Sequence, residues 1–149
     1  MKRAALAFLL LASMASAELY PRRAKPHAKA LPDATSTPIF SIMLSQPNTG
    51  CSVHTSFFYT ATSGAGSTVT HSGIFIWAFA NNQGTVTGGM SDSGEVAVGV
   101  GCTAGCDSGS VAAVGQTATA SVSFNNTLAV VGQFSWLPLN NTCGTLNVL

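Results

Sequence analysis

Alternating apolar and polar residues dominate the chain from residue 37 onward and predict a structure built from β-strands. In residues 117–124, Ala, Val and Phe at even positions alternate with Ser and Thr at odd positions, which is the period expected of a strand with one buried face. No segment has the 3.6-residue apolar period of an amphipathic helix. Further strands are predicted at residues 39–44, 53–62, 95–100, 111–114 and 145–148.

Two further patterns describe how the strands are arranged. Asn125 and Asn126 separate the alternating runs 117–124 and 128–136, and because Asn tolerates positive φ they predict a tight hairpin. Residues 74–80 are apolar at every position, which is typical of a strand covered on both faces. A turn is predicted at residues 81–84. The fold class is therefore all-β: a single, small, disulfide-stapled antiparallel β-sandwich or barrel, residues 37–149.

The first 17 residues have the features of a secretory signal peptide. Lys2 and Arg3 precede a short apolar run, and Ala15-Ser16-Ala17 provides small residues for cleavage after Ala17. The apolar run is shorter than the roughly 20 residues that span a bilayer. We therefore expect a secreted, extracellular protein with no membrane insertion.

Residues 18–36 are rich in proline and basic residues and are predicted to form a disordered tail or pro-segment. Arg22-Arg23 is a dibasic pair of the kind that secretory processing proteases cleave, so Arg23 is a candidate processing site. The alternative is a flexible tail that stays attached to the domain.

The distribution of charge excludes one class of function. All six Lys and Arg residues lie within the first 29 positions, and from Ser36 onward the charged residues are Asp92, Glu95 and Asp107. A domain without basic side chains cannot neutralise phosphates, so no nucleic-acid partner is expected.

The four cysteines are expected to form two disulfides, because export leads to an oxidising compartment. We favour Cys51 with Cys143 and Cys102 with Cys106; Cys51–Cys102 with Cys106–Cys143 remains the alternative. Cys51-x-x-His54 with Cys102 and Cys106 has roughly the spacing of zinc ligands, but that set would leave Cys143 unpaired. No metal site and no cofactor are therefore predicted.

Few residues could carry catalysis. Asp-Ser-Gly occurs at residues 92–94 and again at 107–109; two such motifs form the aspartic-protease dyad, but this chain is too short for two lobes. We interpret both motifs as turns, with Asp92 and Glu95 exposed. His54 and His71 are interpreted as exposed or core-lining strand residues, and no catalytic residue is predicted.

The remaining candidates concern binding and glycosylation. Phe57 and Phe58 are adjacent and must point to opposite faces of a strand, so one of them, or Tyr59, could stack on a sugar or contact a protein. Asn125 and Asn140 each begin an Asn-x-Thr acceptor sequence for N-glycosylation, and both are predicted to lie in turns.

The order of segments resembles that of small secreted proteins of filamentous fungi, including effectors delivered to a host. This is a resemblance of layout alone. The leading hypothesis is a secreted, non-enzymatic, effector-like β-protein that binds a protein or glycan at a host or other cell surface, with a role in virulence. The alternatives are a structural cell-wall or coat protein and a small secreted hydrolase.

Overall fold

The computed structural model describes residues 25–99, 102 and 105–149, and the described residues form nine β-strands. The predicted cleavage sites after Ala17 and Arg23 lie outside the described residues. The strands are β1 (His27–Leu31), β2 (Thr37–Met43), β3 (Thr49–Thr62), β4 (Thr68–Asn82), β5 (Thr85–Gly99), β6 (Asp107–Val114), β7 (Thr117–Phe124), β8 (Gly132–Asn141) and β9 (Leu146–Val148).

The strands form two antiparallel sheets that pack face to face. The first sheet has five strands in the order β1-β8-β3-β4-β5, and the second has four in the order β6-β7-β2-β9. Neither sheet closes on itself, so the all-β prediction is confirmed as a sandwich and not as a barrel.

The core is filled by the odd-numbered residues of β3 and β4, which point toward the second sheet. Aromatic side chains dominate it, and Trp77, Tyr59 and Phe75 are fully buried. Trp77 Nε1 donates a hydrogen bond of 3.3 Å to Thr55 Oγ1, so the one polar atom of this large ring is satisfied inside the core. Rings this large contribute most of the apolar area that stabilises a sandwich of this size.

The folded unit begins before the predicted boundary at residue 37. Strand β1 lies within the segment that was predicted to be disordered, and it pairs with β8 from His27 opposite Trp136 to Leu31 opposite Gly132. Leu31 is fully buried. The proline and basic residues of this segment led to the prediction of disorder, although the segment contains a short strand whose last residue, Leu31, packs in the core.

The predicted hairpin around Asn125 and Asn126 is wrong. Strand β7 pairs with β2 and β6 in one sheet, whereas β8 pairs with β1 and β3 in the other. Asn126 is buried in the crossing, where its Nδ2 donates to Tyr59 Oη at 2.6 Å and to the Val130 carbonyl at 2.9 Å. Burial raises the pKa of the Tyr59 hydroxyl, against the opposing effect of the Asn126 hydrogen bond. The two asparagines thus direct a sheet-to-sheet connection and not a two-residue turn.

The apolar segment at residues 74–80 is buried on one face only. Phe75, Trp77 and Phe79 point into the core, whereas Ile74 and Ile76 are half-buried on the opposite face. The prediction of a strand covered on both faces was therefore wrong. The predicted turn that follows is present, with Gln83 at φ 53° and Gly84 at φ 95° joining β4 to β5, as a two-residue antiparallel hairpin requires.

Candidate functional site

A β-bulge in β5 determines which acidic side chains face the inside of the sandwich. The register between β4 and β5 shifts opposite Gly73, where β5 contains one extra residue and Gly94 adopts φ 62°. Before the bulge Asp92 lies opposite buried Phe75, and after it Ala97 lies opposite buried His71. Asp92 and Ala97 therefore both lie on the inner side of the strand, and so does Glu95, which is two residues before Ala97. Without the extra residue, which reverses the alternation, Asp92 and Glu95 would lie on opposite sides.

Three titratable side chains meet between the sheets. His71 on β4 is fully buried; its Nε2 lies 3.5 Å from Glu95 Oε1, and its Nδ1 lies 3.8 Å from Asp107 Oδ1. Asp107 is the first residue of β6 and belongs to the second sheet. We call these three residues the acid–histidine cluster.

The two disulfides have the favoured pairing. Cys51 on β3 is bonded to Cys143, which follows β8, and Cys102 is bonded to Cys106 in the connection between β5 and β6. The second disulfide lies against the cluster, with Cys106 Sγ 3.2 Å from His71 Nδ1. Two disulfides are typical of a protein exported to an oxidising compartment.

The electrostatics of the cluster favour protonated carboxyls. Burial, with the nearby Asp92 and Asp107 carboxylates, raises the pKa of Glu95 from 4.5 to about 7. Burial also raises the pKa of Asp107, although His71 opposes the shift. Within the described chain, the buried atoms His71 Nε2, Glu95 Oε1 and both carboxylate oxygens of Asp107 have no hydrogen-bond partner.

The structure corrects the sequence interpretation of these acids. Asp92 and Glu95 lie inside strand β5 and not in a turn, and the Glu95 side chain is only 16% exposed. Asp107 is buried. His71 lines the core, as expected, whereas His54 is half-buried on the other face of the sheet. The second Asp-Ser-Gly copy contains Asp107 of the cluster and the first begins with Asp92, a neighbour of Glu95, but the repeat does not indicate that these acids meet His71.

The enclosure of the cluster disfavours hydrolysis. Acid–base cleavage of a glycoside or peptide requires both carboxyl groups to reach the substrate. The side chains of His71 and Asp107 are 0% exposed, so a polymer has no path to them in this conformation. The cluster therefore fits a small ion or a proton better than it fits a substrate.

The other candidate site is the solvent-facing side of the five-stranded sheet, which we call the outer face. It is formed by the even-numbered residues of β3 and β4 and their outward-facing neighbours on β1, β5 and β8. Serine, threonine and aliphatic side chains cover it. Across these described positions no Lys, Arg, Asp or Glu occurs, and His54 is the one titratable group.

Phe58 lies near the middle of the outer face, on the central strand β3. Its neighbours Phe57 and Tyr59 are buried, whereas Phe58 is 48% exposed, so the structure identifies which of the three aromatic residues is at the surface. Ser135 and Ser72 flank it on the adjacent strands. Beside it lies a shallow depression of about 130 Å³, whose lining includes Pro26, Ser56, Phe58, Ser135 and Leu137.

Both predicted glycosylation acceptors are exposed. Asn125 lies in the connection after β7, and Asn140 lies within β8 and not in a turn as predicted. Thr142, the third residue of the second acceptor sequence, is held by the backbone of Ser52, whose N–H donates to Thr142 Oγ1 at 2.9 Å. Glycosylation at both positions stays a prediction.

Comparisons with known proteins assign no family to the chain. No protein-family model and no curated protein matches it. Among solved structures, it is similar to the tailspike protein of Acinetobacter phage vB_ApiP_P1 over 100% of this chain and 26% of the other, with 9% identity and a TM-score of 0.45. The tailspike protein of Acinetobacter baumannii phage AM24 is similar over 83% of this chain and 28% of the other, with 12% identity and a TM-score of 0.40.

A third similar structure is a tailspike protein of Acinetobacter baumannii bacteriophage Fri1, described as a capsular polysaccharide depolymerase. The similarity covers 83% of this chain and 19% of the tailspike chain, with 11% identity and a TM-score of 0.36. This chain therefore spans less than a third of each tailspike protein. Because every TM-score is below 0.5, these similarities assign no activity to this chain.

The described part of the chain contains no helix that is long and apolar enough to cross a membrane.

Proposed function

We propose that the protein is an exported, non-enzymatic binding module, effector-like in its action, that recognises a component of a cell surface through the outer face. The observation that supports this proposal is the 48% exposure of Phe58 at the centre of a face with no formal charge. Large aromatic side chains are often buried, and an exposed one at the centre of an uncharged sheet face provides a flat apolar surface on which a partner can stack.

The chemistry of the outer face favours a neutral glycan as the partner. An aromatic ring stacks on the apolar side of a sugar ring, and the hydroxyls of Ser56, Ser72 and Ser135 around Phe58 can both donate and accept hydrogen bonds. The lack of lysine and arginine on this face disfavours an anionic polymer, which would require cationic contacts.

Replacing Phe58 with alanine is expected to weaken binding to neutral cell-surface polysaccharide at least tenfold, since the stacking surface is lost. The free energy of unfolding should fall by only about 1–2 kcal/mol, because about half of the side chain is already exposed. Binding is measured by retention on insoluble wall polysaccharide and on glycan arrays. Stability is measured by denaturant unfolding.

Val114→Ala is the matched control for the Phe58 variant. Val114 is an apolar residue on the other sheet and is 84% exposed, so its removal should leave glycan binding unchanged. Equal binding by wild type and Phe58→Ala would contradict the proposal. Binding that is lost after protease treatment of the cell surface, but survives removal of its glycans, would identify a protein partner instead.

The alternative of a structural wall or coat protein is supported by the edge strand β5. This strand is 15 residues long and contains neither lysine nor proline, the residues that commonly protect sheet edges. Val96 and Val98 are exposed on it. A protein of this class should assemble through such edges.

Light scattering of the glycosylated protein at micromolar concentration distinguishes the two functions. A binding module is expected to be monomeric, with glycans at Asn125 and Asn140 limiting association, and to aggregate after enzymatic removal of N-glycans. Large assemblies in the untreated sample would contradict the binding module and support the structural alternative.

A further inference from the structure

Two carboxyl groups contact one imidazole in the acid–histidine cluster, and no lysine or arginine among the described residues forms an ion pair with them. Glu95 and Asp107 lie within 4 Å of His71, and Asp92 is in hydrogen-bonding reach of Glu95. The cations among the described residues are Lys25 and Lys29, at the start of the described chain and on β1, and β1 is at the opposite edge of the sheet from β5. Lys29 Nζ donates to the carbonyls of Pro38 and Leu149. Neither lysine therefore compensates the cluster.

Four atoms in the cluster are buried and unpartnered in the described structure. They are His71 Nε2, Glu95 Oε1, Asp107 Oδ1 and Asp107 Oδ2. The side chains of His71 and Asp107 are 0% exposed. A buried polar atom without a partner is costly, and several in one place indicate a site for a bound water or ion.

The spacing of these atoms fits one shared metal ion. One ligand atom from each of His71, Glu95 and Asp107 lies within 4.8 Å of the others. Two atoms bound at about 2.1 Å to one tetrahedral ion are about 3.4 Å apart, close to the 3.5 Å between His71 Nε2 and Glu95 Oε1. Asp107 Oδ1 lies nearest to the other ring nitrogen, Nδ1, at 3.8 Å, so one carboxylate side chain rotates to share the nitrogen that binds the ion. We propose that His71, Glu95 and Asp107 bind one divalent first-row transition-metal ion between the two sheets.

The donor set determines the class of metal. One imidazole nitrogen with carboxylate oxygens suits Zn²⁺ or Mn²⁺, whereas Ca²⁺ and Mg²⁺ prefer oxygen ligands alone. Cys102 and Cys106 also lie beside His71, but their sulfurs are joined in a disulfide and supply no thiolate. Asp92 is exposed on β5 and close to Glu95, but it is not one of the three ligands of the proposed site.

The site is built from both sheets, so the bound ion would connect them. His71 and Glu95 belong to the five-stranded sheet and Asp107 to the four-stranded sheet. An ion that binds the folded but not the unfolded chain stabilises the fold. The ion therefore acts as a cross-link at the end of the sandwich that carries the Cys102–Cys106 disulfide.

Titration of the chelator-treated, tag-free full chain with Zn²⁺ or Mn²⁺ alone tests this site. Calorimetry at pH 7.5 and elemental analysis are expected to give one ion per chain, with a rise in Tm. Glu95→Gln and Asp107→Asn are expected to weaken binding at least tenfold while remaining folded, because each change preserves side-chain shape. His54→Gln is the matched control, since His54 lies on the outer face.

Two outcomes would overturn the proposal: no stoichiometric ion in the wild type, or equal affinity in wild type and both cluster variants. The absorption spectrum of the Co²⁺-substituted protein adds a readout of the ligands. It should lack the near-ultraviolet band of a cobalt–thiolate bond. The presence of that band would assign the metal to the cysteines and exclude the carboxylate site.

Discussion

Replacing Cys51 and Cys143 together with serine is expected to lower the free energy of unfolding by about 4–5 kcal/mol. The bond joins residues separated by 92 positions, and a cross-link that closes so long a loop removes much of the conformational entropy of the unfolded chain. The measurement is denaturant unfolding of the double variant and of wild type produced under oxidising conditions.

The second disulfide provides a matched control. Cys102 and Cys106 are separated by only 4 positions, so in the same chain-entropy model their joint replacement should cost about 2 kcal/mol. Thiol titration of denatured, unreduced wild type should detect no free thiol. A long-range variant that is no less stable than the short-range variant would contradict the loop-entropy explanation.

Strand locations could be predicted from local pattern because alternation depends on neighbouring residues. Residues 117–124 were predicted as one strand, and β7 is Thr117–Phe124. The pairing of strands depends on the whole fold. The sequence of residues 125 and 126 is compatible both with a tight turn and with a connection between the two sheets. In the structure they form the connection, and the Asn126 side chain donates a hydrogen bond to Tyr59 on β3.

The acid–histidine cluster could not be predicted because it depends on one inserted residue. Gly94 at positive φ is compatible with either a turn or a bulge, and only the pairing of β4 with β5 distinguishes the two. The bulge places Glu95 on the inner side with His71. Asp107 then joins from the other sheet, a contact between residues 71 and 107 that no local pattern indicates.

The surface position of Phe58 was partly predictable. Adjacent residues of a strand face opposite ways, so one of Phe57 and Phe58 had to lie outside the core. The sequence alone did not determine which, because the direction of the alternation is established by pairing. In the structure Phe57 stacks on Phe75 with ring centroids 3.9 Å apart, and that buried contact leaves Phe58 on the outer face.

The metal-free protein is expected to lose stability as pH rises from about 4.5 to about 7. The pKa of Glu95 is 4.5 in the unfolded reference and about 7 in the folded protein, so between these values the folded state binds more protons. The free energy of unfolding therefore falls with rising pH, by as much as about 3 kcal/mol from this group. The raised pKa of Asp107 acts in the same direction.

The Glu95→Gln variant tests whether Glu95 itself causes this pH dependence of stability. The groups that face Glu95 are His71 from β4, Asp92 from β5 and Asp107 from β6, and all three are retained in the variant. Wild type and variant should have similar stability at pH 4.5, where Glu95 is protonated, and should diverge above it because glutamine cannot ionise. Denaturant unfolding across pH 4–8, with a chelator present, measures both profiles. A wild-type profile that is flat or rising over this range, or an equal decline in the variant, would show that the folded structure does not hold Glu95 in its protonated form.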